Sequence, residues 1–298
     1  MPRRFVTLDV FTDTVLTGNP LAVVLDCDGL DGAAMQRIAA EFNLSETVFV
    51  LPPAAPRHRA ALRIFTPTRE LPFAGHPTIG TAVILALQDT HAGGTDAVAF
   101  GLEEGIGTLA CVVETAEARG CARFKMPVLP EFLGAGSAPA ALSAALSLEP
   151  GQIGFGRHVP SRHALGQGFV FVPVANLDAL DQAKLDPAAF GALGEPAPLY
   201  LYAHEPTGLG RRYQARMFAP HLGVPEDPAT GSAAAAFAGV MMQFEPMGDG
   251  EHDIVIRQGI AMGRPSEILL QVCVASGALR SVEVGGAAIV VSEGTLRV

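Results

Sequence analysis

The sequence predicts an α+β fold of two pseudo-symmetric halves, each a mostly antiparallel sheet wrapped around one buried helix. Residues 82–87 and 233–242 are apolar on every side and too short to span a membrane, which is typical of helices buried inside a protein. A polar loop of small residues precedes each segment, and the two loops lie about 150 residues apart. Short strand-like segments surround both. These observations indicate one α+β half that is used twice.

Turn and capping residues mark the elements of the first half. Residues 5–10 alternate between polar and apolar, and residues 21–25 follow a turn, so the two segments are predicted to form a hairpin. Residues 30–42 carry apolar side chains at helical spacing, and Asn43 is predicted to end this helix. The remaining strands of this half are predicted at residues 44–50, 60–65, 97–100, 108–114 and 122–126.

The second half contains the same kinds of element. An outer helix is predicted at residues 138–148, and residues 178–193 are predicted to be a further helical region. Residues 127–139 and 148–160 are rich in Gly and Pro and are predicted to be surface loops. Its strands are predicted at residues 168–174, 199–203, 213–218, 253–257, 268–274, 279–284 and 287–290.

The boundary between the halves is predicted near residues 117–120. This gives an N-terminal half of residues 1–118 and a C-terminal half of residues 119–285. The sequence leaves open whether a last strand, at about residues 286–298, crosses back to complete the first half.

Composition and charge narrow the function classes. Of the 298 residues, 49% are hydrophobic and 17% are charged, and the chain shows neither a membrane-length apolar run nor a signal-peptide core. We therefore expect a globular cytoplasmic protein with no membrane partner. A net charge of -10 and the lack of a long basic cluster argue against nucleic acid as a partner.

The motifs predict no cofactor and no metal. The cysteines have no CxxC spacing, and the histidines form no HxxH or HExxH pattern. The glycine-rich residues 101–107 are flanked by strand-like residues and no helix follows them, so they are predicted to be a hairpin turn and not a dinucleotide-binding loop.

The two polar loops end where the buried helices are predicted to begin. Unpaired N–H groups and the helix dipole favour an anion at such a position. If the two halves face each other, both helix starts open onto one cleft, and a small carboxylate-bearing substrate is the expected partner. The candidate catalytic residues are Glu46, His76 and Asp227, and the candidate substrate-binding residues are Gly75, Thr230, Gly231 and Ser232.

Each candidate side chain also has an ordinary structural interpretation. Glu46 fits a solvated strand edge, and His76 fits a capping or packing residue. Asp227 fits a partner of the helix dipole, and Ser232 fits a helical serine. The apolar neighbours of Glu46, however, would partly desolvate its carboxyl, which suits a general acid/base. The set therefore suits moving a proton on carbon without a cofactor.

A series of motifs is similar to that of a known family. The motifs are DVFT at 9–12, GNP at 18–20, NLSET at 43–47, PFAGHPT at 72–78, MFAP at 217–220, EDPATGSA at 226–233, RQG at 257–259 and MGRPS at 262–266. In this order they resemble the phenazine-biosynthesis PhzF-like isomerases over nearly the whole chain.

The resemblance implies a diaminopimelate-epimerase-like fold and a homodimer. It implies that Glu46 is the catalytic acid/base, that His76, Asp227 and Ser232 are active-site residues, and that Gly75 contributes a backbone contact. In the phenazine pathway, the family member isomerises trans-2,3-dihydro-3-hydroxyanthranilate by shifting a proton between ring carbons and tautomerising the resulting enol to a ketone.

Two other functions stay open on the same fold. One is an amino-acid epimerase or racemase that uses a single base. The two-thiol form of that chemistry is not expected, because no cysteine lies near either helix start. The other is a protein that binds a small molecule without catalysis.

Overall fold

The structure is a computed structural model that describes residues 2–89, 97–194 and 197–298. Its strands are β1 (Pro2–Val10), β2 (Asn19–Val24), β3 (Glu46–Leu51), β4 (Ala60–Phe65), β5 (Glu70–Leu71), β6 (Val98–Glu104), β7 (Gly107–Ala116), β8 (Arg119–Lys125), β9 (Glu131–Ala135), β10 (Ser161–Leu165), β11 (Gln167–Pro173), β12 (Leu199–His204), β13 (Arg211–Ala219), β14 (Val224–Asp227), β15 (Gly250–Gln258), β16 (Ser266–Ala275) and β17 (Ala278–Arg297). Its α-helices are α1 (Gly32–Phe42), α2 (Gly75–Asp89), α3 (Pro139–Leu146), α4 (Leu177–Gln182), α5 (Pro187–Gly191) and α6 (Gly231–Phe244).

The chain divides into two compact units. Unit 1 runs to Pro127 and also takes in Arg264–Glu267 and Glu283–Val298, whereas unit 2 consists of Val128–Gly263 and Ile268–Val282. The boundary predicted near residues 117–120 falls in the turn between β7 and β8. Unit 1 continues beyond that turn because β8 pairs with β7 on one side and with β17 on the other.

The strands of unit 1 form a sheet that closes on itself. Its order is β17, β1, β2, β3, β4, β6, β7 and β8, and β8 pairs in turn with β17. The pairs β2–β3 and β4–β6 are parallel and the other pairs are antiparallel. The end of the chain thus does cross back: Ala288 of β17 pairs with Val10 of β1 and with Gly120 of β8.

Helix α2 is the buried helix of unit 1, as the sequence predicts. Every residue of α2 from Gly75 to Ala86 is buried, including the polar His76 and Thr78. Helix α1 also has the predicted end: Asn43 adopts the left-handed conformation with φ 51°. At the other end of α1, the side chain of Asp31 accepts a hydrogen bond from the N–H of Ala34.

In unit 2, strands β9 to β13 pair in sequence order, β9 with β10, β10 with β11, β11 with β12 and β12 with β13. Strand β13 also pairs with β14 and, in parallel, with β15. Helix α6 is buried as predicted, and its Phe237 packs edge-to-face on the rings of Tyr202 and Tyr213. Helices α3, α4 and α5 bury a second apolar cluster that includes Leu142, Leu180 and Phe190.

A predicted loop of unit 2 contains a strand. Residues 131–135, predicted to be loop, form β9, which pairs with β10 despite its exposed side chains. The helical region predicted at residues 178–193 contains two short helices, α4 and α5, and Pro187 disfavours helical geometry at the residue before α5 begins. The predicted hairpin at residues 101–107 is confirmed as the β6–β7 turn.

Both units confirm the predicted α+β fold, with mostly antiparallel strands and one buried helix each. Within residues 2–89, 97–194 and 197–298, no helix is long and apolar enough to cross a membrane. The same residues contain no group of three or more His, Cys, Asp or Glu side chains that could hold a metal ion.

Candidate active site

Glu46 and His76 meet where β3 and α2 begin. The left-handed turn at Asn43 ends α1 and directs the chain into β3, whose first residue is Glu46. There Glu46 is the parallel-strand partner of Leu21 in β2. His76 is the second residue of α2. The start of β3 and the start of α2 thus bring together two residues that are 30 positions apart in the sequence.

The two side chains are close but not hydrogen-bonded to each other. Oε2 of Glu46 lies 3.5 Å from Nε2 of His76, and the side chains are 17% and 5% exposed, respectively. Nε2 of His76 is buried and makes no hydrogen bond. Burial lowers the pKa of His76 to about 3, although a hydrogen bond with the backbone carbonyl of Pro20 acts in the opposite direction. The imidazole is therefore neutral at ordinary pH.

Asn19 adds a buried amide to this group. It is the first residue of β2, it is fully buried, and its Nδ2 lies 3.4 Å from Nδ1 of His76. The loop before it is anchored by Arg264, which donates to the carboxylate of Asp9 at 2.5 Å and to the carbonyls of Thr17 and Gly18 at 2.6 and 2.7 Å. Arg264 thereby fixes the turn that delivers Asn19.

The start of α2 presents backbone N–H groups beside this pair. The first hydrogen bond of the helix runs from the N–H of Thr78 to the carbonyl of Ala74, so the N–H groups of Gly75 and His76 lie ahead of the helical ladder. Such groups and the helix dipole attract an anion. A backbone contact from Gly75 to a substrate stays a prediction.

A buried carboxyl supports the same helix start. Oε1 of Glu104, at the end of β6, lies 2.7 Å from Oγ1 of Thr78, which also bonds to the carbonyl of Ala74. Oε2 of Glu104 is buried without a hydrogen-bond partner. Burial raises the pKa of Glu104 to about 8 against the opposing effect of Thr78, so this carboxyl is protonated at neutral pH.

Unit 2 holds the other candidate residues at the start of α6. Asp227 is the last residue of β14, where it pairs with Met217 of β13, and Gly231 is the first residue of α6. The hydroxyl of Thr230 donates to Oδ2 of Asp227 at 2.6 Å. Asp227 and Thr230 are buried, whereas Ser232 is half-buried in the first turn.

The amide of Gln258 binds the loop between Asp227 and Thr230. Its Nε2 donates to the carbonyl of Asp227 at 2.8 Å and to the hydroxyl of Thr230 at 3.0 Å. Its Oε1 accepts from the N–H of Thr230 at 3.2 Å. Both the hydroxyl and the N–H of Thr230, which was predicted to bind substrate, are thus engaged within the protein.

The structure groups the candidate residues by unit. It brings Glu46, His76 and Gly75 together in unit 1, and Asp227, Thr230, Gly231 and Ser232 together in unit 2. A single cleft shared by the two helix starts stays a prediction. Asn19 stands in the GNP motif and Gln258 in the RQG motif, but neither motif predicts a role for these side chains. No sequence motif predicts a role for Glu104.

Comparisons with known proteins give matches over nearly the whole chain. The model of the family described as phenazine biosynthesis-like protein matches residues 8–294. An uncharacterized isomerase of Mesorhizobium japonicum is 47% identical, over 99% of this chain and 98% of the relative. The trans-2,3-dihydro-3-hydroxyanthranilate isomerase of Pseudomonas aeruginosa is 37% identical, over 98% of each chain.

A solved structure is similar over its full length. The phenazine biosynthesis protein of the PhzF family from Bacillus anthracis superposes with a TM-score of 0.87 at 25% identity, and the match covers 100% of both chains. Both curated relatives are isomerases, the enzyme class expected for this chain. With its motifs, its two buried helices and these matches, the chain belongs to the phenazine biosynthesis-like (PhzF) family and is an isomerase of that family.

Proposed function

We propose that this isomerase moves a proton between carbons of a small, unsaturated, carboxylate-bearing substrate without a cofactor, in a reaction similar to that of trans-2,3-dihydro-3-hydroxyanthranilate isomerase. The observation that carries the proposal is the Glu46–His76 pair, in which a largely buried carboxylate lies 3.5 Å from a buried imidazole. The relative that is 37% identical is named for this reaction.

Glu46 is the proton carrier in this proposal. A cation beside a carboxylate holds it ionised, but the imidazole of His76 is neutral because burial lowers its pKa to about 3. In this proposal, Glu46 takes up a proton from carbon and returns it to another carbon of the same substrate. Its 17% exposed side chain keeps access to a substrate while little water reaches it.

The other candidate residues would hold the substrate. Nε2 of His76, buried and without a hydrogen bond, can bind a polar group of the substrate beside Glu46. Asp227 would accept hydrogen bonds from a substrate amine or hydroxyl. Ser232 and the N–H group of Gly231 would bind the carboxylate from unit 2, and the N–H group of Gly75 is the corresponding anion-binding candidate of unit 1.

The test is turnover of trans-2,3-dihydro-3-hydroxyanthranilate in D₂O, followed by NMR at each ring carbon. We expect the parent protein to convert this compound and Glu46→Gln to lower kcat by ~100-fold or more, since a positioned acid/base contributes about that much. Glu70→Gln is the matched control. It makes the same chemical change in unit 1, at an exposed carboxylate paired with Arg63 at 2.6 Å, and should leave kcat unchanged.

Three outcomes would contradict the proposal. Turnover by the Glu46→Gln protein at the parent rate would remove Glu46 from the reaction. Dependence of turnover on an added metal ion or nicotinamide would refute the cofactor-free mechanism. Exchange at the α-carbon of amino acids, with no conversion of the dihydro compound, would favour the one-base epimerase instead.

A further inference from the structure

Gln258 lies at the end of β15 and is fully buried. Strand β13 lies between Gln258 and the candidate site. Its Ala215 pairs with Gln258 of β15, and its Met217 pairs with Asp227 of β14. This places the Gln258 amide against the loop that leads from Asp227 to α6. A buried primary amide is costly unless each of its hydrogen-bonding positions is used.

Two backbone groups determine the orientation of the Gln258 amide, that is, the positions of its oxygen and its nitrogen. The N–H of Thr230 can only donate, so the atom 3.2 Å from it is the oxygen Oε1. The carbonyl of Asp227 can only accept, so the atom 2.8 Å from it is the nitrogen Nε2. Oε1 also accepts from the hydroxyl of Tyr200 at 3.3 Å. The orientation of Gln258 is thus set by two groups that have no alternative role.

The direction of the next two hydrogen bonds follows from this orientation. Nε2 of Gln258 has its second proton directed at Oγ1 of Thr230, 3.0 Å away, so that oxygen must accept. A hydroxyl has one proton, and Oδ2 of Asp227 lies 2.6 Å from the same oxygen. The proton of Thr230 is therefore donated to Asp227. A carboxylate that receives such a bond is stabilised in its ionised form.

Two titratable neighbours of Asp227, Tyr200 and Glu226, have hydrogen-bond partners of their own. Burial and the charge of Asp227 both raise the pKa of Tyr200 far above its usual range, so Tyr200 stays a neutral donor to Gln258. The neighbouring carboxylate of Glu226 is paired with Arg216 at 2.8 and 3.0 Å and does not compete for the Thr230 hydroxyl.

We infer that Gln258 is a positioning residue that fixes the direction of the Thr230–Asp227 hydrogen bond and so holds Asp227 as an ionised, oriented acceptor. This inference rests on the proposed function, in which Asp227 accepts a hydrogen bond from a polar group of the substrate. It also assigns the side chain of Thr230 to Asp227 and not to the substrate.

The experiment is a titration of Asp227 that requires no turnover. The protein is labelled with ¹³C at aspartate side-chain carboxyls, and the Asp227 signal is identified as the one that Asp227→Asn removes. We expect Thr230→Val, which removes only the hydroxyl, to shift the Asp227 titration upward by about one pH unit, as loss of a charge-assisted hydrogen bond does. Thr230→Ser restores the hydroxyl and should restore the parent titration.

The variant of Gln258 tests the inference itself. Gln258→Met keeps the length of the side chain and removes all four hydrogen bonds of the amide. We expect it to shift the Asp227 titration in the same direction as Thr230→Val. An Asp227 titration unchanged in folded Gln258→Met protein would overturn the role of Gln258.

Two safeguards keep the result interpretable. If Gln258→Met does not fold, Thr230→Val and Thr230→Ser decide, and an unshifted titration in Thr230→Val overturns the inference. Failure of the proposed function would look different: the parent would show no proton movement on the substrate, whatever the titration of Asp227.

Discussion

The Glu46–His76 pair differs from the other histidine–glutamate pair of unit 1. Nδ1 of His58 lies 2.6 Å from Glu103, whose carboxylate also accepts from the N–H groups of Ala54 and Ala55. These hydrogen bonds hold the pKa of Glu103 at about 2, so its role is to fasten a loop. Glu46 lies 3.5 Å from a neutral imidazole with no hydrogen bond between them. The first geometry favours a permanent structural contact, and the second is the geometry on which the proposed proton transfer by Glu46 rests.

Glu104 makes a residue-scale prediction about pH. Its pKa is raised by burial to about 8, from an ordinary value of 4.5 that the unfolded chain retains. Between those values the folded protein binds the proton and the unfolded chain does not. The contribution of Glu104 to the free energy of unfolding therefore decreases as pH rises through this window, by up to ~1.4 kcal/mol per pH unit, and does not change further above about pH 8. Glu104→Gln, which mimics the neutral acid, should remove this dependence.

Denaturant unfolding of parent and variants between pH 5 and pH 9 is the measurement. Glu70→Gln is the control, because Arg63 lowers the pKa of Glu70 below the ordinary value and the group stays ionised throughout the window. That variant should keep the parent slope. A parent-like slope in the Glu104→Gln protein would show that Glu104 is ionised in the folded state.

At the scale of elements, α6 packs on β10 through a glycine. A Cβ added at Gly239 would come within 2.6 Å of Nδ1 of His163, a ring that is itself buried and packed against Phe171. We expect Gly239→Ala to destabilise the protein by about 1–2 kcal/mol, because overpacking costs more than the gain in helix propensity. The change is measured as the shift in denaturant midpoint.

Gly191→Ala provides the comparison for that substitution. Gly191 ends α5, and a Cβ there would meet nothing within 4 Å. We expect Gly191→Ala to leave the free energy of unfolding unchanged or slightly raised. Equal effects of the two substitutions would mean that His163 moves aside without cost.

Local signals explain which elements could be predicted from the sequence. The bounds of α1 depend on Asp31 and Asn43, which act on their own neighbours, and the two buried helices are apolar on all sides. Strand β9 carries no such signal, because its side chains are mostly exposed and its partners in β10 are 26 to 33 positions away.

The candidate site could be predicted only in part, because some of its contacts join residues that are distant in the sequence. Glu46 and His76 stand in motifs, so their roles could be proposed from the sequence. Glu104 contacts Thr78, 26 positions away, and Gln258 contacts Thr230, 28 positions away. Neither the residue types nor their spacing predicts these contacts. Those contacts depend on which strands become neighbours, which is a property of the folded chain.

At the scale of the whole molecule, closure of the sheet in unit 1 depends on β17. Its residues Glu283–Arg297 fill the gap between β1 and β8. We expect a chain that stops at Val282 to expose the edges of β1 and β8, to exchange its α2 amide hydrogens far faster than the parent, and to aggregate. Hydrogen exchange with mass spectrometry measures this.

A chain that stops at Leu296 is the control for that truncation. It loses the pairing of Arg297 with Pro2 and keeps the rest of β17. Its α2 should stay protected as in the parent. Equal protection of α2 in the chain that stops at Val282 would show that the seven other strands enclose the helix without β17.

The position of β17 in the chain also has a consequence during translation. Strand β8 is synthesised about 160 residues before the part of β17 that pairs with it, and all of unit 2 lies between them. The ribosome therefore releases α2, with Gly75 and His76, well before the strand that encloses it is available. Until then, the nascent first unit has two open strand edges, which is the state in which a chaperone that shields exposed β-edges would have most effect.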